Sequence, residues 1–308
     1  MASQKKQIQI PNGYKFLFGG SAGCCATCFV QPLDLLKNRM QMSGQGGRTK
    51  QHKTSLHVLL DVVRNEGILP LYNGLSAGIM RQATYTTTRL GIYTWLFDLL
   101  TFGDKPPNFF IKASIAMLAG VAGAFVGTPA DVALIRMTSD GRLPPDQRRN
   151  YKNVVDALIR MAREEGLPTW FKGAVPTMGR AMVVNAAQLA TYSQAKQNLK
   201  ETGYFRDGIL LHFCASMISG LITTIASMPV DIAKTRIQNL KTVPGEKKPG
   251  AIQVMAGIVK NEGIHALWKG FTPYYFRLGP HTVLVFIFLE QFNSAYRRLH
   301  AHDDPDED

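Results

Sequence analysis

Charged residues are absent from three long stretches of the chain, which run from Phe16 to Leu33, from Ala113 to Ala130 and from Gly208 to Val230. Each is close to the roughly 20 residues that a helix needs to cross the hydrocarbon core of a bilayer. Three further stretches with few charges end near Leu100, Leu199 and Leu299. The pattern therefore predicts six membrane-spanning helices.

Two short motifs recur in the same order along the chain, with a period of about one hundred residues. The first is Pro-x-Asp, at Pro32 and Asp34, at Pro129 and Asp131, and at Pro229 and Asp231. The second begins with Glu-Gly and ends at a further glycine, at Glu66 and Gly74, at Glu165 and Gly173, and at Glu262 and Gly270. Repetition at a fixed period is the signature of a repeat architecture. We predict three tandem repeats at 1–105, 106–205 and 206–300, followed by an acidic tail at 301–308.

Each repeat is predicted to contain a membrane helix, a loop with a short amphipathic helix such as Leu56 to Glu66, and a second membrane helix. The loops inside the repeats are rich in Lys and Arg, whereas the joints between repeats are short. By analogy with the positive-inside rule, the three basic loops lie on one side of the membrane and both termini on the other. The expected fold is an all-α membrane protein with six transmembrane helices, arranged with pseudo-threefold symmetry around a central cavity.

Small residues mark one face of the first helix in every repeat. Gly23, Gly120 and Gly220 each stand nine residues before the proline, and a small residue precedes each by four positions. This small-xxx-small spacing lets membrane helices approach closely. It predicts a packing seam at the same height in the three repeats.

The formal net charge of +13 suits a nucleic-acid binder, a protein on an anionic membrane or a protein that handles acidic solutes. A soluble basic nucleic-acid-binding protein would not need the apolar stretches, and the chain lacks the interleaved aromatic and basic residues of a stacking platform. We therefore expect no nucleic-acid partner.

The sequence gives no sign of an enzyme. No nucleophile, base and oxyanion constellation and no phosphate-binding loop is apparent. Three of the four cysteines cluster at Cys24, Cys25 and Cys28, but no histidine lies nearby at metal-ligand spacing. We expect neither a metal nor a cofactor, and no cleaved targeting signal at the N-terminus.

Three arginines occupy equivalent positions seven residues after the glycine that ends the second motif, at Arg81, Arg180 and Arg277. An ionisable residue inside a membrane segment is expensive unless it faces water or a partner, and few acids lie in the membrane stretches. Guanidinium binds carboxylate in a bidentate manner and stays charged. The arginines therefore predict a site for a small dicarboxylate, with Tyr85, Arg89 and Gln188 on the same helix faces at offsets of four and eight residues.

The threefold Pro-x-Asp and Glu-Gly motifs resemble those of the mitochondrial carrier family over nearly the whole chain. The stretches Arg81 to Gly91 and Phe271 to His281 are most similar to members that exchange 2-oxoglutarate for malate, with another anion carrier of the dicarboxylate/phosphate type as the alternative. The resemblance implies a multi-pass antiporter of the mitochondrial inner membrane, with basic loops toward the matrix and both termini toward the intermembrane space. It also implies cardiolipin bound around the matrix-side glycine motifs.

The resemblance further implies a matrix gate, in which the prolines bend the odd-numbered membrane helices toward one axis and a ring of ion pairs closes the pore. The expected pairs are Lys37 with Asp231, and Lys234 with Asp131. Leu134 occupies the basic position of the second repeat, which leaves Asp34 without its counterpart. The gate residues are Pro32, Asp34, Lys37, Pro129, Asp131, Pro229, Asp231 and Lys234. Arg39, Arg136 and Arg236, two positions after each basic position, are equally consistent with solvated or snorkelling charges.

A second gate is expected on the even-numbered membrane helices, thirteen and sixteen residues past each arginine. Those positions hold Thr94 with Phe97, Ser193 with Lys196, and Glu290 with Asn293. None is a complete acid-base pair. The sequence therefore predicts no tight electrostatic lock at that end.

Overall fold

The computed structural model describes residues 11–43, 55–101, 109–143, 147–201, 203, 209–240 and 250–300. The predicted repeat boundaries near 105 and 205 and the acidic tail at 301–308 lie outside these residues. Nine α-helices and several short 3-10 turns make up the described part, which contains no strand. The helices are α1 (Asn12–Gln41), α2 (Ser55–Asn65), α3 (Leu75–Leu99), α4 (Phe109–Ser139), α5 (Val154–Glu164), α6 (Ala174–Glu201), α7 (Ile209–Asn239), α8 (Ala251–Glu262) and α9 (Phe271–His300).

Six long helices follow one another around a ring. Helix α1 packs on α3, α3 on α4, α4 on α6, α6 on α7 and α7 on α9, and α9 returns to α1. The short helices α2, α5 and α8 contact α1, α4 and α7 respectively. This is the predicted arrangement of three repeats, each with two long helices and one short helix between them.

Two of the described helices, over residues 110–139 and 213–239, are long enough and contain an apolar enough stretch to cross a membrane by length and composition. The other long helices carry polar or charged residues such as Arg81 and Arg180 within their length. Helices around an aqueous cavity need an apolar surface only toward lipid, so mean hydropathy understates their ability to span.

The predicted amphipathic helix at Leu56 to Glu66 is confirmed as α2, which covers Ser55–Asn65. Its buried residues Val58 and Val62 pack against Leu35 and Leu36 of α1. Because an amphipathic helix gains stability by burying its apolar face, this contact holds α2 beneath the end of α1.

The predicted packing seam lies between the first and second long helices of a repeat. A Cβ added at Gly23 would stand 2.6 Å from Nε2 of Gln82 on α3, and Gly120 meets Asn185 of α6 in the same way. Gly19 has no such neighbour within 4 Å. In the first repeat the close approach is therefore made at Gly23 and does not extend to Gly19, the other member of the small-xxx-small pair.

Candidate functional site

The first long helices of the three repeats, α1, α4 and α7, are the odd-numbered membrane helices of the sequence analysis, and α3, α6 and α9 are the even-numbered ones. Each odd helix contains one motif proline, and the three meet near their C-terminal ends. Two ion pairs join them there. Lys37 Nζ lies 2.5 Å from Asp231 Oδ2, and Lys234 Nζ lies 2.7 Å from Asp131 Oδ2. All four side chains are nearly buried. Both pairs have the partners expected from the sequence.

The third position of this ring differs from the expectation. Leu134 packs in an apolar cluster with Ala77 of α3 and Met137. Asp34 nevertheless has a basic partner, because Arg277 Nε lies 3.0 Å from its Oδ1 atom. The prediction that Asp34 lacks a counterpart holds only for the lysine position, since an arginine from α9 replaces it.

The three equivalent arginines of the predicted substrate site, Arg81, Arg180 and Arg277, each lie against an aspartate of a Pro-x-Asp motif. Arg180 Nε is 2.5 Å from Asp231 Oδ1, and Arg81 Nε is 3.6 Å from Asp131 Oδ1. With Arg277 and Asp34, the relation is threefold: the arginine of each repeat meets the aspartate of the next. The expectation that few acids could receive these arginines was wrong, because one aspartate of the Pro-x-Asp motifs lies within ion-pair distance of each arginine.

The structure therefore joins the two predicted sites. Asp231 accepts Lys37 on one carboxylate oxygen and Arg180 on the other. Asp131 is shared in the same way by Lys234 and Arg81. A carboxylate that bridges two cations transmits a change at one of them to the other. We call Arg81, Arg180 and Arg277 the arginine layer, and the Pro-x-Asp aspartates with Lys37 and Lys234 the gate layer. The two layers thus form one electrostatic network.

A second set of arginines is also paired, which corrects the alternative of solvated or snorkelling charges. Arg39, Arg136 and Arg236 are 3%, 0% and 5% exposed. Each binds the glutamate of its own repeat through both terminal nitrogens, at Glu66, Glu165 and Glu262. These are bidentate pairs, which combine charge with fixed geometry.

The same three arginines also fasten neighbouring repeats together. Their Nε atoms donate to carbonyl oxygens at the end of the next odd helix: Arg39 to Thr138, Arg136 to Gln238 and Arg236 to Gln41. The signal for these contacts was present in the sequence, because arginine and glutamate recur in the same register. The sequence analysis did not predict that each arginine pairs with the glutamate of its own repeat, because a loop separates the arginine from the glutamate along the chain.

Glu262 is the last residue of the short helix α8, and its carboxylate accepts hydrogen bonds from both Arg236 and Lys269. Burial alone would raise the pKa of Glu262, but the hydrogen bonds from Arg236 and Lys269 outweigh it, so its pKa lies below the ordinary value of 4.5. The carboxylate is therefore ionised at neutral pH and can hold both cations.

Two further contacts cross between repeats at the third-repeat seams. Lys172 Nζ donates to the carbonyl of Leu240 at 2.6 Å, and Lys269 Nζ donates to that of Ser43 at 2.9 Å. The equivalent residue of the first repeat is Asn73. The seam between the first and second repeats thus has neither a lysine at 134 nor one at 73. Besides the Arg39 contact, the Asn38 side-chain amide donates to the Thr138 hydroxyl across this seam at 3.0 Å.

The remaining predicted substrate residues lie farther along the even helices. Tyr85 and Arg89 line the face of α3 that passes close to Gly123 of α4. Gln188 is exposed, and its backbone carbonyl accepts the hydroxyl of Ser219 at 3.3 Å. Within the described ranges, the side chains of Arg89 and Gln188 form no hydrogen bond or ion pair with one another or with the three arginines. Their assignment to the substrate site stays a prediction.

The predicted second gate contains no ion pair between described residues. Thr94, Ser193 and Glu290 are exposed, while Phe97, Lys196 and Asn293 are half-buried. Thr94 satisfies its hydroxyl on the carbonyls of Leu90 and Gly91 of its own helix. The absence of a tight electrostatic lock at this end stays a prediction.

A family model described as "Mitochondrial carrier protein" matches residues 9–103, 105–203 and 206–299. The chain is 65% identical over 291 residues to the "Mitochondrial 2-oxoglutarate/malate carrier protein" of Mus musculus, which covers 94% of this chain and 93% of the relative. It is 62% identical over 288 residues to the protein of the same name from Caenorhabditis elegans, covering 93% and 94%. It is 41% identical over 286 residues to "Mitochondrial citrate transporter F" of Aspergillus niger, covering 93% and 91%.

The chain therefore belongs to the mitochondrial carrier family, and its three matched segments are three copies of the same unit. Membership makes it a transporter and places it among the carriers of the inner mitochondrial membrane.

Proposed function

We propose that the protein exchanges 2-oxoglutarate for malate across the inner mitochondrial membrane by alternating access. The names of several relatives at 62–65% identity support this choice of substrates. The observation in the structure that supports it best is the threefold set of arginine-aspartate contacts. Because each arginine of the set binds a carboxylate of the chain, the same guanidinium groups suit the two carboxylates of a dicarboxylate substrate.

The charges of the network also favour a dianion. The five cations joined by these ion pairs are Lys37, Arg81, Arg180, Lys234 and Arg277, and the three anions are Asp34, Asp131 and Asp231. The cluster therefore carries an excess of two positive charges. A dicarboxylate neutralises that excess, whereas a neutral solute leaves it uncompensated in a low-dielectric region.

We infer that substrate binding loosens the gate by competition. A substrate carboxylate that takes Arg180 leaves Asp231 with Lys37 as its remaining cation, and one that takes Arg81 leaves Asp131 with Lys234. Since a ligand shifts a conformational equilibrium only by its difference in affinity for the two states, the substrate must gain contacts when the aspartates are released. Exchange rather than net uptake follows when the empty carrier restores the aspartate contacts and resists opening.

The proposed substrate site consists of Arg81, Tyr85, Arg89, Arg180, Gln188 and Arg277. Tyr85 and Arg89 follow Arg81 at successive turns of α3, so they extend the binding surface away from the gate. Gln188 extends the surface of α6 beyond Arg180 in the same way. These residues supply polar contacts to the rest of the substrate, while the arginines hold its carboxylates.

The proposed orientation places the gate formed by α1, α4 and α7 at the matrix side and both termini toward the intermembrane space. The basic loops within the repeats support this by the positive-inside rule. We also propose cardiolipin at the starts of α3, α6 and α9, where Gly74, Gly173 and Gly270 adopt positive φ. The first backbone N–H groups of a helix have no partner within that helix, so they can bind a phosphate. The three repeats at 1–105, 106–205 and 206–300 would each supply one such place.

A counter-exchange assay tests the proposed function. The purified full-length protein in liposomes loaded with malate should take up labelled 2-oxoglutarate, and empty liposomes should take up none. A panel of internal phosphate, succinate, malonate and citrate separates the proposed exchange from that of another anion carrier. Efficient exchange of phosphate, with no uptake of 2-oxoglutarate, would show that the substrate assignment is wrong.

A further inference from the structure

Tyr274 of α9 lies at the junction between the arginine layer and the gate layer, although no repeated motif marks it. It is 7% exposed and stands one turn before Arg277. Arg180 Nη2 donates to its hydroxyl oxygen at 2.7 Å. The ammonium group of Lys37 lies 4.0 Å from the centre of its ring. One side chain thus contacts a proposed substrate residue and a gate residue at once.

These contacts close a loop of four side chains from four helices. Asp231 of α7 binds Arg180 of α6 through Oδ1 and Lys37 of α1 through Oδ2, both at 2.5 Å. Tyr274 of α9 touches the same two cations on the other side. The two cations are therefore held between a carboxylate and an aromatic phenol. Moving either cation disturbs both partners.

The other two repeats have no such residue. The positions equivalent to Tyr274, four residues after the motif glycine, are Gly78 and Thr177. Gly78 packs against the side chain of Gln31, and the Thr177 hydroxyl accepts Gln238 Nε2 at 3.2 Å. Only the third repeat, within the part of the chain that is described, thus has an aromatic group between arginine and lysine.

We propose that Tyr274 is a positioning residue that orients Arg180 for the substrate carboxylate and couples its occupation to the Lys37–Asp231 gate pair. The hydroxyl fixes the plane of the guanidinium, and the ring stabilises the ammonium of Lys37 by a cation-π contact. The substrate has to draw Arg180 away from Asp231 but can leave it on the hydroxyl. This inference rests on the proposed function, since it assigns a part of the same site.

The two contacts can be separated by substitution. Tyr274→Phe removes the hydroxyl and keeps the ring over Lys37. Tyr274→Leu removes both. Tyr275→Phe is the matched control, because it deletes the same hydroxyl from the neighbouring residue, whose ring stacks on Phe271 instead.

Exchange kinetics in liposomes supply the first readout. Tyr274→Phe should raise KM for malate about three- to tenfold, the loss expected for one hydrogen bond, with a smaller change in kcat. In an Arg180→Lys background, the same substitution should change KM by less than twofold, because its partner is already altered. Tyr275→Phe should leave both constants unchanged. An unchanged KM in Tyr274→Phe, or an equal effect in both backgrounds, would overturn the assignment.

Access to the site supplies a second readout that needs no substrate. Val184 lies on α6, one turn after Arg180. A cysteine at this position, on a background with Cys24, Cys25, Cys28 and Cys214 replaced, is labelled from each side by a membrane-impermeant thiol reagent. Tyr274→Leu should increase labelling from the matrix side, whereas Tyr274→Phe should not. If both variants leave the matrix-side rate unchanged, Tyr274 does not support the gate. Failure of the wild-type protein to exchange malate would refute the proposed function instead, while this labelling comparison would still decide the role of Tyr274.

Discussion

Arg277 holds Asp34 with its Nε atom 3.0 Å from Oδ1, at the one Pro-x-Asp aspartate whose lysine position is occupied by leucine. The other two aspartates each have both a lysine and an arginine. The same arginine is thus assigned to the substrate and to the gate, and no second cation in the described ion pairs can replace it. A substrate that takes Arg277 therefore leaves Asp34 without a cation from the described ion pairs, whereas Asp131 and Asp231 each keep a lysine.

Arg277→Ala should consequently destabilise the protein more than Arg81→Ala does. Removal of Arg277 leaves a buried Asp34 carboxylate unpaired, at a cost of about 3–5 kcal/mol, whereas Asp131 keeps Lys234 after removal of Arg81. Thermal unfolding in detergent measures the difference. Adding Asp34→Asn to Arg277→Ala should restore much of the melting temperature without restoring exchange. Equal losses of melting temperature in the two single variants would refute this asymmetry.

Leu134→Lys should tighten the gate and slow exchange. A lysine at this position is placed to compete with Arg277 for Asp34, which would give the first repeat the type of pair that the other two have. The apolar cluster around Leu134 opposes the new charge, so some loss of stability is expected. Exchange rates and side-specific labelling at Val184→Cys test the effect, with the volume-conserving Leu134→Met as the control. Faster exchange with more matrix-side labelling would contradict the prediction.

Much of this arrangement follows from the sequence because the chain repeats. Threefold register identified the six long helices, the amphipathic helix at α2, and the two pairs of Lys37 with Asp231 and Lys234 with Asp131. The repeated spacing did not predict that the Pro-x-Asp aspartates also pair with the arginines, because the distance between them depends on how the helices bend at the prolines. It also gave no sign of Tyr274, because that residue departs from the repeat.

Glu262 should make stability depend on pH in the acid range. Its pKa is lower in the folded protein than the ordinary value of 4.5, so its contribution to stability is complete above that value and is lost as the pH falls through the folded pKa. The melting temperature of the wild-type protein should exceed that of Glu262→Gln at pH 7, and the two should converge as the pH falls below about 4.5. Glu164→Gln is the control, since Glu164 pairs with Arg160 on an exposed helix face. A difference from wild type that does not diminish at acid pH would refute this account of the Arg236–Glu262 contact.

Arg81, Arg180 and Arg277 are the residues that we propose to bind the carboxylates of the substrate. Each charge-assisted contact to a carboxylate contributes about 1.5–3 kcal/mol, or roughly one to two decades of affinity. Losses in translocation add to this loss of affinity, so single replacement of any one by alanine should abolish measurable exchange. Arg64→Ala is the control, because Arg64 is an exposed arginine on α2, away from the network.

The most direct measurement is malate/2-oxoglutarate exchange by these four variants in liposomes containing equal amounts of folded, inserted protein. We predict wild-type exchange for Arg64→Ala and loss of exchange for Arg81→Ala, Arg180→Ala and Arg277→Ala. Near-normal exchange in any one of the last three would contradict this prediction.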